Sequence, residues 1–139
     1  AAGPESVWGA LESLGADRIG HGIRSIEDGT LVDHLRTHGI PLEVSITSNV
    51  RTGVVDGFQR HPVRRLHDAG VPITLSTDDP AMFGTTLNEE YLLAYEAFGF
   101  SVDELAELSL NAVRHSFLPV HRKAEMLDVL RHETAELLR

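Results

Sequence analysis

The chain has 139 residues, 42% hydrophobic and 24% charged, with a formal net charge of −9 and no cysteine. That length suits one ordinary domain, and the negative charge argues against a nucleic-acid backbone or an anionic membrane surface as partner. A disulfide framework is excluded, and any metal site has only His and carboxylate to draw on. No apolar run approaches the roughly 20 residues that span a bilayer and no signal peptide opens the chain, so the expectation is a soluble cytoplasmic protein.

In chain order, Gly3 and Pro4 read as the cap and first position of a helix, and Glu5 suits its positive end. Val7, Trp8, Ala10, Leu11 and Leu14 form its apolar stripe, and Gly15 ends it. A short strand over 17–20 leads into His21 and Gly22. A helix over 30–38 carries Leu31 and Leu35 inward and closes at Gly39. A strand over 41–47 precedes a loop, SNVRTGVVDGFQR, and a helix over 62–70 delivers the chain to VPITLSTDDP at 71–80. There Val71, Ile73 and Leu75 alternate with Pro72, Thr74 and Ser76, and the run ends in two adjacent carboxylates, Asp78 and Asp79. Pro80 has no amide hydrogen and stops the strand. Asp-Asp-Pro also starts turns and caps well. The remainder is helical. Thr86 with Glu89, and Ser101 with Glu104, match capping boxes. A last helix over 122–138 carries Met126, Leu127, Leu130, Leu137 and Leu138.

One internal repeat organises the first half. GIPLEVS at 39–45 matches GVPITLS at 70–76, and residues 15–21 fit the same frame more loosely. Strand–helix–strand repeats predict a parallel sheet with both faces covered. An antiparallel sheet with one solvated face is disfavoured by the intervening helices. In this frame Leu42, Val44, Ile73 and Leu75 share an apolar face. Glu43, Ser45 and Thr47 share the opposite face with Thr74, Ser76 and Asp78, and His21 falls level with Ser45 and Ser76, with Ile19 below it. A polar face ending in His and Asp reads as the inside of a barrel mouth. A closed barrel needs about eight strands, and three are visible. The expected fold is α/β: a partial (β/α)8 TIM barrel, its last three strands (6–8) plus C-terminal helices, with residues 1–139 the C-terminal part of a single domain whose N-terminal half is absent.

RIGHG at 18–22, TSNV at 47–50, STDDP at 76–80 and NAVRHSF at 111–117 together resemble the adenosine deaminase family, in order and spacing. The resemblance implies a (β/α) barrel with one zinc ion at its C-terminal mouth and hydrolytic conversion of adenosine to inosine and ammonia. Carried over by position, it implies that Asp78 is a zinc ligand. Asp79 is similar to the carboxylate that hydrogen-bonds the purine and the attacking water. His21 resembles the histidine that orients that water or takes its proton. The family's His-x-His, its further histidine ligand and the Glu of its HAGE motif would lie upstream of Ala1. Ser45-Ile46 stands where the family often has Cys-Pro. Relatives acting on adenine or 6-aminodeoxyfutalosine are the nearest alternatives, and a non-catalytic interaction domain with DDP as a cap is the alternative from another class.

Other residues carry plainer expectations. Glu43 reads as a hydrogen-bond partner behind the site rather than a catalytic acid. His34, His38, His61, His67, His121 and His132 read as surface residues, and His115 as packed near its helix end. Trp8 and the phenylalanines read as core. Ser48, Asn49 and Asn111 could support loops at the barrel mouth. Taken alone, the chain is expected to be inactive and poorly folded, because open strand edges invite association.

Overall fold

The computed structural model describes residues 2–137. Three parallel strands, β1 (Ile19–Gly20), β2 (Leu42–Val44) and β3 (Ile73–Leu75), form one sheet in the order β1-β2-β3. Eight α-helices accompany them: α1 (Pro4–Leu14), α2 (Gly29–His38), α3 (Ile46–Arg51), α4 (Val63–Asp68), α5 (Pro80–Phe83), α6 (Leu87–Phe98), α7 (Val102–Arg114) and α8 (Val120–Leu137). Helix boundaries follow local chemistry. Asp28 accepts from the amides of Thr30 and Leu31 to start α2, and Gly39 ends it at φ +65°. Ser101 and Glu104 complete a capping box at α7. The final predicted helix starts at Val120, and Leu138 lies outside the described residues.

The repeat predicted the parallel pairing, and the register between β2 and β3 follows it: Leu42 lies opposite Ile73, Glu43 opposite Thr74 and Val44 opposite Leu75. β1 is displaced by one residue from the expected frame. Ile19 pairs with Leu42 and Gly20 with Glu43, so Ile19 belongs to the apolar face and His21 continues level with Val44, not with Ser45. A one-residue slip exchanges the faces of a strand, which is why a loose sequence match misassigned this one.

All three strands are shorter than expected. The chain leaves β2 at Ser45 and turns at once into α3, so Thr47 sits on a helix and the predicted loop begins with one. Pro80 does more than end a strand: it is the first residue of α5, whose N-cap is Asp79.

The core lies between one face of the sheet and the helices. Ile19, Leu42, Val44, Ile73 and Leu75 are buried there with Val7, Leu31, Leu35, Leu66, Ala94, Phe100 and Leu108. Each fully buried leucine contributes roughly 1.5–3 kcal/mol of transfer free energy. The opposite face carries Glu43 and Thr74, which stay half-buried. Arg18, Glu43, Thr74, Ser76 and His115 line a cavity of about 230 Å³ on that side. Burial, and secondarily Lys123 and Arg114, hold His115 below the usual histidine range. Among the described residues β1 and β3 each have a strand partner on one side only. On the free edge of β3 the Asn111 amide donates to the Ile73 carbonyl at 3.3 Å, tying α7 to the sheet.

Several side chains depart from expectation. Trp8 is only partly buried, and its indole N–H donates to Asp28 at 2.9 Å. Phe117 is exposed, with the Arg18 guanidinium 4.7 Å above its ring. No helix among the described residues is long and apolar enough to cross a membrane.

Candidate active site

The site is built where the chain leaves the three strands. His21 follows β1 with φ +61° and Asp78 follows β3 with φ +56°, the only two non-glycine residues with positive φ among those described. Left-handed backbone costs a non-glycine residue roughly 1–2 kcal/mol, so both corners are held against an intrinsic preference. Gly22 makes the first possible. It has φ +64°, and a Cβ there would lie 2.9 Å from both Ile19 and Leu42 side-chain carbons.

The corners bring the two side chains together although β2 lies between their strands. His21 Nε2 stands 3.5 Å from Asp78 Oδ2, and both residues remain more than one-third exposed. The start of α3 supplies the groups around them. Ser48 Oγ donates to Asp78 Oδ2 at 2.7 Å, and Asn49 Nδ2 lies 3.1 Å from His21 Nδ1. Behind Asn49, its Oδ1 meets His61 Nε2 at 3.1 Å, and His61 Nδ1 accepts from the Val63 amide at 3.2 Å.

Asp79 is exposed, and its Oδ1 accepts from the Met82 amide at 2.8 Å. The cap that Asp-Asp-Pro suggested is therefore real, and it holds one oxygen of Asp79 while Asp78 turns toward His21. Glu43 lies on the polar face of β2 beside the cavity, one residue short of the strand end.

Beneath the site, Glu90 on α6 is fully buried. Its Oε2 accepts from the amides of Ile46 at 2.9 Å and Thr47 at 3.3 Å, and its Oε1 from the Thr85 hydroxyl at 3.0 Å. A carboxylate thus fixes the first turn of α3, the turn that presents Ser48 and Asn49. The sequence contained a signal for it: Glu90, Ala94 and Phe98 fall on one helical stripe, placing a charge in line with core positions.

A zinc site takes three or four nitrogen and oxygen ligands. A half-exposed Asp78 carboxylate, with one oxygen already oriented by a hydroxyl and an imidazole 3.5 Å away, fits as part of such a set and not as the whole of it. Among the described residues the group of three whose ligand atoms lie within 4.8 Å of one another is elsewhere, at His67, Asp68 and Glu104. Arg64 already supplies the cation there. It bonds both Glu104 oxygens at 2.9 Å and Asp68 at 2.6 Å, and holds the Glu104 carboxyl down at about 2.

The adenosine deaminase family model matches residues 1–133. The chain belongs to the adenosine deaminase family. Curated relatives include an aminodeoxyfutalosine deaminase of Streptomyces coelicolor, 46% identical over 98% of this chain and 35% of that protein. An adenosine deaminase of Klebsiella pneumoniae is 41% identical over 92% of this chain and 38% of its own length. Among solved structures, an adenine deaminase from Arthrobacter aurescens superposes with a TM-score of 0.92 at 34% identity, covering 96% of this chain and 41% of that one. An amidohydrolase from Burkhoderia ambifaria with bound Zn gives 0.79 at 26% identity, covering 96% and 40%. The chain therefore spans about two-fifths or less of the length of these relatives.

Within this deaminase-family fold, the structure brings together His21 and Asp78, places Asp79 beside them as a cap, and leaves Glu43 on the strand below. His61 was expected at the surface and is 6% exposed. The intervening loop folds back on Asn49, a tertiary event that residues 50–60 did not announce. Burial pulls the His61 pKa down from 6.5 to about 4. A histidine kept neutral in the folded state leaves stability intact above pH 6.5, and stability is lost as pH falls from 6.5 toward 4, where only the unfolded chain takes up the proton. The full effect is on the order of 3 kcal/mol. In the full-length protein, the thermal midpoint of wild type should fall more steeply over that range than that of His61→Gln. Parallel pH curves would count against the buried neutral imidazole.

Proposed function

We propose that the chain is the C-terminal part of a barrel-shaped, zinc-dependent deaminase that hydrolyses a 6-aminopurine nucleoside, adenosine to inosine and ammonia being the reference reaction. The observation that supports this best is the convergence of His21 and Asp78 at two left-handed corners at the strand ends, with Asp79 adjacent. In the reaction one water adds to C6 of the purine, the C6–N bond breaks, and the amino group leaves with the added proton as ammonia.

Asp78 would hold the metal through a carboxylate whose Oδ2 is fixed by Ser48. Zinc, when bound, supplies Lewis acidity that brings the pKa of water to roughly 7. His21, whose Nε2 faces Asp78, would donate from that nitrogen to the water and orient it toward the purine. Asp79, anchored through Oδ1 by the Met82 amide, supplies a carboxylate to hydrogen-bond the purine and the attacking water. The remaining ligands and the group that protonates the ring would come from the rest of the barrel. The unpaired edge of β1 agrees with a strand pairing there.

The 46% identity to an aminodeoxyfutalosine deaminase favours a second reading, in which the same chemistry acts on 6-aminodeoxyfutalosine. The two are separated by ultraviolet assay of the zinc-loaded full-length protein with adenosine, adenine and 6-aminodeoxyfutalosine. At least one 6-aminopurine should lose ammonia while cytidine remains untouched, and the fastest identifies the substrate. No turnover of any of the three would overturn the proposal.

A further inference from the structure

We infer that Asn49 and His61 are positioning residues, forming one directed line of hydrogen bonds that fixes which nitrogen of His21 carries its proton. The inference deepens the deaminase reading, on which its catalytic meaning rests. Its direction comes from counting donors. A backbone amide can only donate, so the Val63 N–H makes His61 Nδ1 an acceptor at 3.2 Å, without a proton of its own. A cationic imidazole has no such bare nitrogen, and the buried setting of His61 agrees with the neutral form. The proton of His61 is therefore on Nε2, which donates to Asn49 Oδ1 at 3.1 Å.

That bond decides the orientation of the Asn49 amide. Turned the other way, its NH2 would face the His61 N–H, donor against donor. With Oδ1 toward His61, Nδ2 faces His21 Nδ1 at 3.1 Å and donates to it. His21 Nδ1 is then bare, and its proton sits on Nε2, the nitrogen that faces Asp78. Asn49 is 1% exposed and His61 6%, so water does not compete for these groups as it would at the surface. The polarity of a backbone amide at the start of α4 is thereby carried through two side chains to the site.

The wild-type full-length zinc protein, labelled with 15N-histidine, tests the direction without any variant. Long-range proton–nitrogen spectra distinguish the two imidazole tautomers, and the His21 signals are those missing from His21→Gln. The Nε2–H form of His21 is expected, and the Nδ1–H form would overturn the inference. Asn49→Asp, which can only accept when ionised, should shift the His21 proton to Nδ1 and lower kcat about ten- to a hundredfold at unchanged zinc content. His61→Phe should lower kcat similarly, whereas His61→Gln, which keeps an N–H donor, should restore it. An unchanged His21 tautomer in Asn49→Asp, or equal losses in His61→Gln and His61→Phe, would also overturn it. Because the spectra read proton location directly, a failure of the deaminase reading would appear as absent turnover with the tautomer still as expected.

Discussion

Asp78→Ala in the full-length protein is expected to lose bound zinc and deaminase activity together. The side chain is the carboxylate that the left-handed corner after β3 turns toward His21, and Ser48 orients its Oδ2. Alanine removes the carboxylate that we propose as a metal ligand. Neighbouring Asp79 has Oδ1 committed to the Met82 amide. His21→Ala should behave differently. In the proposed role it removes a group that would orient the attacking water without holding the metal, so zinc should stay while kcat falls by on the order of 10², about 2.7 kcal/mol of barrier. Metal analysis and steady-state kinetics on the same preparations separate the two. Full zinc occupancy in Asp78→Ala would refute the ligand assignment, and zinc loss in His21→Ala would refute the division of roles.

The second large effect is expected far from any substrate. Glu90→Ala would leave the Ile46 and Thr47 amides and the Thr85 hydroxyl without their acceptor in a region where all three residues are buried. Stranding buried donors costs roughly 1–3 kcal/mol each in general, and the alanine also leaves a cavity, so a loss of at least about 3 kcal/mol is expected. Glu90→Gln keeps the shape but turns one acceptor into a donor, and should fall between. Activity should decline as well, since the turn that Glu90 fixes carries Ser48 and Asn49. Urea unfolding of the metal-free full-length protein measures the loss without contribution from zinc binding. A midpoint for Glu90→Ala equal to wild type would show that water or a neighbour satisfies these donors.

Much of the fold was legible because its signals are local. The Gly39 helix stop, the Ser101–Glu104 capping box and the period-two alternation of Ile73 and Leu75 each depend on a few adjacent residues. The repeated Gly-x-Pro frame gave parallel pairing of β2 and β3 for the same reason. RIGHG and STDDP were legible as motifs, and they single out the His21 and Asp78 that the structure brings together.

What local pattern could not decide was set by contacts across the chain. The register of β1 depends on which face packs on the helices, and a two-residue strand has too little alternation to announce it. The turn of α3 at Ser45 depends on Glu90, 44 residues from Ile46. The burial of His61 depends on Asn49, 12 residues before it, and the approach of His21 to Asp78 on two left-handed corners that sequence propensity disfavours. The amino-acid sequence by itself determined most of the helices, the parallel order of the strands and which acidic and imidazole residues stand at their ends. Tertiary structure alone decided which of those groups touch, because a hydrogen bond between distant residues exists only after the packing of the strands and helices has fixed both ends.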